Sequence, residues 1–401
     1  MGRTAIINTC NTGSTGKIAI GLYNYLKKNG RNPLFFYARG TQSDNPDFIK
    51  FESIMEVLVH YAYTRITGHL NGASWMATKR LVSLLKENEV TDVFLIILHS
   101  HYLNEKILLD YIINAGIRVV YIMADESPFL GNCEYRYGCN QYLNNCSDCP
   151  KLNRLQRWLC KNPSEKAFML KQECYKKIDK IVFVGPEFVV KNATKSPLMN
   201  GKRLEIVDEA VDVLTYRPQE TQPLRMALGI DDSKIVIVCV APLSYERKGV
   251  VYFIETARRM EKFNQFVFVH VGYDKKEIKD LPSNFIAIGY VRDQDTLAQY
   301  YSMADLFVFP SLHDTMPNAC LEALACGSPL LCFNTSGMPY MADETVMTLV
   351  ESKNVDQMVG VINKTKKKTQ STIDTCRNYA LKRFDNQKYF EKLVLVMNSI
   401  K

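Results

Sequence analysis

A chain of 401 residues exceeds what one hydrophobic core usually supports, so two domains are the default. Its 47% hydrophobic content is ordinary for a globular protein, and apolar runs such as Val93 to Leu98 are far too short to cross a bilayer. The formal net charge is +8, and residues 151 to 203 alone hold thirteen Lys/Arg against four Asp/Glu. Such a basic face attracts an anionic membrane surface, a pyrophosphate-linked acceptor or nucleic acid, unless it is only a solvated helix. Asn8, Thr9 and Asn11 interrupt the apolar start where a signal peptide needs continuity, so a cytoplasmic protein is expected. Twelve cysteines in that compartment argue for reduced thiols or metal rather than a disulfide framework.

Arg3 to Ile7 reads as a first strand, Asn8 to Lys17 as a turn and Ile18 to Lys28 as a helix. The turn Gly13-Ser-Thr-Gly16-Lys17 fails as a Walker loop, because two residues separate its glycines and Ile18 follows the lysine. It reads better as a glycine-rich turn through which backbone approaches a ligand above the first strand. Asn32 to Tyr37 is a second strand, and residues 53 to 87 look helical, with aromatics and basics mixed. Asp92 to Leu98 is a buried strand ending in His99-Ser-His101. Polar residues there point into the crevice where α/β proteins bind ligands, so His99 and His101 are candidates for a base, a phosphate donor or an acceptor contact. Arg118 to Met123 is a strand that ends in Ala124-Asp125-Glu126. Cys133, Cys139, Cys146 and Cys149 then fall within seventeen residues. Four such thiols suit tetrahedral structural zinc, with unliganded or disulfide-bonded cysteines as the other readings. A catalytic metal is excluded at this cluster, since four thiolates leave no open position. Lys180 to Val184 is a later strand of the first half.

The strand–helix alternation restarts after residue 218. Lys234 to Val240 is a strand, followed by Tyr245-Glu-Arg-Lys-Gly249 and a helix to Glu261. Arg247 and Lys248 lie between strand end and helix start, a position that neutralises a diphosphate or merely caps a surface loop. Phe266 to Val271 and Phe285 to Ile288 are strands. Asp293-Gln-Asp295 has the Asp-x-Asp form of a metal site but precedes the helix Thr296 to Met303, where an Asp is a routine cap. Asp305 to Pro310 and Leu330 to Phe333 are buried strands flanking a loop and a helix near Pro317 to Cys326. Asp314 lies in that loop, and Glu322 is roughly one turn inside the helix. The helix start suits a phosphate or other anion, and a carboxylate beside it can accept hydrogen bonds from hydroxyls; an ordinary capped helix is the other reading. Residues 369 to 397 look helical.

The stretch from Ser311 to Pro329, with acids Asp314 and Glu322, Asp314-Thr-Met-Pro-Asn318 and Ala-Cys-Gly-Ser-Pro329, resembles the donor-site motif of GT-B glycosyltransferases of family 4. It looks closest to a sub-group with a cysteine-rich insertion, since His99-Ser-His101, Asp125 and Gly131-Asn-Cys133 also match; Ala124 departs from the histidine usual there. The resemblance implies two Rossmann-like αβα domains facing a cleft: an acceptor-side domain over 1–217 with the cysteine loop 133–149, a donor domain over 218–385, and a terminal helix over 386–401 packing back on the first. It implies donor binding by Gly13, Gly16, Arg247, Lys248, Asp314, Asn318, Glu322, Ser336 and Gly337. Glu322 would hold the ribose and Asp314 the donor hexose, with His99, His101 and Asp125 near the chemistry. Ser336 and Tyr340 depart from the usual loop, which bears on donor preference.

The implied activity is retaining transfer of a sugar from a UDP- or GDP-type nucleotide diphosphate sugar to a glycan acceptor, lipid-linked, in bacterial surface polysaccharide synthesis. No catalytic metal and no nucleic acid are expected, and peripheral contact with the inner membrane face is. The rivals are a GT-B-fold sugar-nucleotide epimerase, which needs no acceptor, and a non-catalytic nucleic-acid-binding module built on zinc and the basic stretch.

Overall fold

The structure, a computed structural model, describes residues 2–153, 161–273 and 280–401. Residues 154–160 of the basic segment lie outside the described residues. The chain divides into two compact units, Met1–Val207 with Phe390–Lys401, and Asp208–Tyr389.

In the first unit, strands β1 (Arg3–Cys10), β2 (Pro33–Arg39), β3 (Phe48–Lys50), β4 (Val90–Leu95), β5 (Arg118–Ile122), β6 (Ile181–Gly185) and β7 (Arg203–Ile206) form one sheet in the order β3-β2-β1-β4-β5-β6-β7. Every pairing in it is parallel. Helices cover both faces of such a sheet, which is why Ala5-Ile-Ile7, Val93-Phe-Leu95 and Val119-Val-Tyr121 are unbroken apolar runs and are buried. In the second unit, β8 (Ile235–Val240), β9 (Phe266–Val271), β10 (Phe285–Ile288), β11 (Leu306–Phe309), β12 (Leu330–Phe333) and β13 (Met347–Val350) follow the order β10-β9-β8-β11-β12-β13, again all parallel. Each sheet reverses its winding once, between β1 and β4 and between β8 and β11. Loops beyond the carboxyl ends of these four strands flank the crevices where doubly wound sheets bind ligands.

Several boundaries differ from the sequence reading. The first helix spans Gly13–Lys28 and takes in the glycine-rich turn, because Gly13 at φ +72° supplies the left-handed entry. The helical stretch 53–87 is two helices, Ile54–Thr67 and Trp75–Glu87, broken at Gly68 (φ +72°). Residues 369–397 are likewise two helices, Gln370–Arg383 and Asn386–Asn398.

The segment after β7 belongs to the second unit, where the backbone N–H of Val211 donates to Phe384 O (2.9 Å) and Arg383 pairs with Asp208 (2.9 Å). Arg377 closes the same join by donating to the carbonyls of Tyr216 and Val213 at 2.7 and 2.8 Å. The end of the chain rejoins the first unit. A Cβ on Gly21 would lie 2.5 Å from the Phe390 ring, so the missing side chain is what admits that ring.

Candidate functional site

Two polar clusters occupy the two winding reversals, one in each unit. In the second unit the loop after β8 carries Arg247 and Lys248, and the loop after β11 carries Asp314. Arg247 Nη1 lies 2.7 Å from one Asp314 oxygen and Lys248 Nζ lies 3.0 Å from the other. Ser311 Oγ donates to the same carboxylate at 2.8 Å. Asp314 is buried; burial alone would push its pKa up, but Lys248, Arg247 and the Ser311 hydroxyl hold it below the usual carboxylate value. One main-chain and one side-chain bond lock the two loops together: Leu312 N–H donates to Arg247 O at 2.8 Å, and Arg247 Nη1 donates to His313 O at 2.6 Å.

Two glycines permit this closeness. A Cβ on Gly249, which has φ +66°, would lie 1.9 Å from Pro310 O, and one on Gly337 would lie 1.6 Å from Thr315 O. Gly337 N–H donates to Asp314 O at 2.9 Å, and the neighbouring Ser336 hydroxyl meets His313 Nδ1 at 2.9 Å.

The helix Asn318–Ala325 starts beside this loop, with Pro317 preceding it and no side-chain cap on its first N–H groups. Asn318 Oδ1 is buried without a hydrogen-bond partner, an acceptor awaiting a donor. Glu322 is buried on the same helix and accepts a 2.7 Å bond from the Tyr301 hydroxyl. The second unit therefore brings together Arg247, Lys248 and Asp314 directly, with Asn318, Ser336 and Gly337 around the same loop.

In the first unit, Gly13 and Gly16 open the helix after β1. The N-cap Thr12 makes no side-chain cap bond, and a Cβ on Gly16 would lie 2.7 Å from the Asn11 carbonyl carbon. After β4, His99 is buried between two acids: Nε2 is 2.5 Å from Asp125 Oδ2, and Nδ1 is 3.2 Å from Glu134 Oε1. Burial opposes its charge, yet Asp125 and Glu134 outweigh burial and raise its pKa to about 10. Asp125 is held low in spite of burial by His99 and by the Ser127 N–H. His99 at neutral pH is thus an imidazolium and not a free base. His101 is in another setting: half-buried, with Nδ1 3.1 Å from Thr64 Oγ1, its pKa lowered by burial and by the Arg39 charge. Ser100 and His101 have φ of 84° and 61°, and the Arg39 guanidinium donates to both their carbonyls.

Sequence reasoning missed Glu134, Ser311 and Tyr301. Glu134 reaches His99 because its strand of loop folds back on Glu126: Glu126 N–H donates to Glu134 O at 3.0 Å and Arg136 N–H to the Glu126 carboxylate at 2.9 Å. An acid adjoining the cysteines was the available signal. Asp293 is the helix cap expected of it, accepting from Thr296 N–H at 2.7 Å.

The structural zinc expected on Cys133, Cys139, Cys146 and Cys149 is corrected. Among the described residues no group of three or more His, Cys, Asp or Glu is placed to hold a metal ion. The four line one small, mainly apolar cavity. Burial there raises the pKa of Cys133, and that of Cys146 to about 11.

Residues 234–366 match the family model for glycosyl transferases group 1. That span includes Arg247, Lys248, Asp314 and Glu322; the cysteine loop lies outside it, so a cysteine-rich sub-group gains no support. Among curated proteins, the chain is 25% identical over 172 residues to the alpha-galactosylglucosyldiacylglycerol synthase of Streptococcus pneumoniae, covering 39% of this chain and 44% of that one. It is 31% identical over 127 residues to the processive diacylglycerol alpha-glucosyltransferase of Acholeplasma laidlawii, covering 30% and 38%. The chain thus spans less than half the length of these relatives. Among solved structures, Anabaena HepE in complex with UDP and glucose superposes with a TM-score of 0.65 at 14% identity, covering 100% of both chains. The fold is GT-B: two Rossmann-like αβα units.

Proposed function

We propose that the protein is a glycosyltransferase that moves a hexose from a UDP- or GDP-type sugar, with retention, to a hydroxyl of a lipid-linked glycan in bacterial surface polysaccharide synthesis. The observation that carries the reading is the pair Arg247 and Lys248, held on Asp314 at the winding reversal of the second sheet. The match to group 1 glycosyl transferases supports it over the same residues. The two curated relatives are named for diacylglycerol-based lipids, which supports a membrane-borne acceptor.

In this reading the bond between the sugar's anomeric carbon and the diphosphate oxygen breaks as the acceptor oxygen bonds to that carbon. The acceptor's proton passes to the departing phosphate. Arg247 and Lys248 stabilise the charge gained by the leaving group, where such donors are worth most. Asp314 is a positioning residue for both cations and, with its backbone neighbours, borders the hexose. Asn318 Oδ1 is an acceptor for a donor hydroxyl. Glu322 holds the ribose, oriented by Tyr301. His99, clamped as a cation, cannot take the acceptor's proton at neutral pH, which agrees with a mechanism that needs no protein base.

The test is product analysis with radiolabelled UDP- and GDP-sugars, with and without membrane lipid extract as acceptor. Label in the lipid fraction with α-linkage from an α-donor supports the reading. An epimerised donor in the absence of acceptor would make the protein an isomerase instead.

A further inference from the structure

The loop that meets Asp314 is held at both ends. At the first, Thr335 Oγ1 donates to Ser311 O at 3.1 Å and Gly337 N–H to Asp314 O at 2.9 Å. Between them Ser336 stands at φ +49°, a left-handed conformation that a residue other than glycine keeps only under constraint from its surroundings. The chain then makes a four-residue helix, Met338–Met341. A helix that short has no stability of its own, and its last carbonyls find no partners within it. Burial of Met338 and Met341 anchors its inner side. Arg383 holds its end: Nη2 donates to Tyr340 O at 2.7 Å and Nη1 to Met341 O at 2.8 Å.

Arg383 is the last residue of the helix Gln370–Arg383. Its Nε donates to Asp208 Oδ2 at 2.9 Å, and Nη1 also donates to the Tyr379 hydroxyl at 3.1 Å. The guanidinium fork thus serves four acceptors in fixed directions. A lysine ammonium carries the charge but cannot reach an acid, a phenol and two successive carbonyls at once. Asp208 is committed to this arrangement: its other oxygen, Oδ1, is buried with no hydrogen-bond partner, a cost that the pairing with Arg383 offsets. Arg377 on the same helix offers a comparison. Its hydrogen bonds go to the carbonyls of Val213, Tyr216 and Ala325, away from residues 335–341.

We infer that Arg383 is the positioning residue of the donor loop: by gripping the end of the helix Met338–Met341 it sets where Ser336 and Gly337 stand beside Asp314. It acts through the carbonyls of Tyr340 and Met341, and Asp208 aims it. A loop ordered before the donor arrives spares binding the entropy of ordering it. The consequence for the donor rests on the proposed reading of Asp314, Ser336 and Gly337 as donor-binding residues; the grip on the loop does not.

The test is hydrogen–deuterium exchange of the full chain without nucleotide, read by mass spectrometry on peptides covering residues 335–341, with calorimetry of UDP-glucose and GDP-mannose alongside. Arg383→Lys should speed exchange at these amides by about tenfold or more, while the rest of the second unit exchanges like the parent. Asp208→Asn keeps an acceptor for Nε but removes the charge, so it should speed the same amides by a smaller factor. Arg377→Lys should leave them parental. Arg383→Lys should also bind the sugar nucleotide about tenfold more weakly, seen in turnover as a raised donor KM with kcat within about twofold. Parental exchange at residues 335–341 in Arg383→Lys would overturn the inference. So would equal acceleration across the whole second unit in Arg383→Lys and Arg377→Lys, since Arg383 would then be an ordinary contributor to stability. A parent that binds neither sugar nucleotide while the exchange pattern holds would remove the donor reading and leave the positioning of the loop standing.

Discussion

The two winding reversals hold mirror-image charge arrangements. In the second unit one buried carboxylate, Asp314, faces two cations, Arg247 and Lys248. In the first unit one buried cation, His99, faces two carboxylates, Asp125 and Glu134. Counted over these groups, the first arrangement carries an excess positive charge and the second an excess negative charge. An excess positive charge beside a helix start suits a diphosphate. A histidine clamped by two acids cannot accept a proton at neutral pH, so its worth lies in fixing the loop that carries Ser100 and His101. The same fold position thus yields a cation-rich cluster in one unit and an acid-rich one in the other, depending on which sign is in the minority.

This contrast breaks most readily at the cation pair. Lys248→Ala should lower kcat/KM for the donor by about 100-fold or more, the usual cost of one transition-state charge partner, with the loss read in steady-state transfer assays. Parent-like turnover would remove Lys248 from the chemistry.

His99→Asn tests the other side. It leaves the buried Asp125, with the exposed Glu134 nearby, without its cation, so it should cost about 3 kcal/mol at neutral pH in urea denaturation. The folded pKa is raised from 6.5 to about 10, so the stabilisation is fully present below pH 6.5 and fades as pH rises through about 10. The gap between parent and variant should therefore narrow from pH 7 to pH 10. A gap that widens would contradict the clamp.

Gly337→Ala forces a Cβ into Thr315 O, so the loop carrying Asp314 must move. About 2 kcal/mol of stability and a several-fold loss of nucleotide affinity are expected, measured by thermal melts with and without UDP. The smallest effect belongs to Asp293→Ala, which removes a helix cap worth about 1 kcal/mol and should leave activity independent of added divalent metal.

Much of the fold was legible because parallel strands buried on both faces read as unbroken apolar runs, as in Val93-Phe-Leu95 and Phe307-Val-Phe309. Helix limits were less so. Gly13 and Gly16 look like a loop in sequence, yet a single positive φ at Gly13 converts that turn into a helix start. Arg247, Lys248 and Asp314 were nameable from motif and position, but not their mutual pairing, which depends on two glycines that let separate loops touch. Glu134 was invisible because its contact with His99 is made by a loop folding back across Glu126. The cysteines misled for a related reason: close spacing in sequence suggests convergence on a metal, and the loop's own geometry does not deliver it.

The central claim is that Arg247 and Lys248 form a diphosphate site in the second unit. Isothermal calorimetry of UDP, GDP and the matching nucleoside monophosphates against the full chain, parent and Lys248→Ala, tests it most directly. One diphosphate should bind in the micromolar range, its monophosphate at least about tenfold more weakly, and Lys248→Ala should abolish the difference. Equal affinity for mono- and diphosphate, or no nucleotide binding by the folded parent, would contradict it.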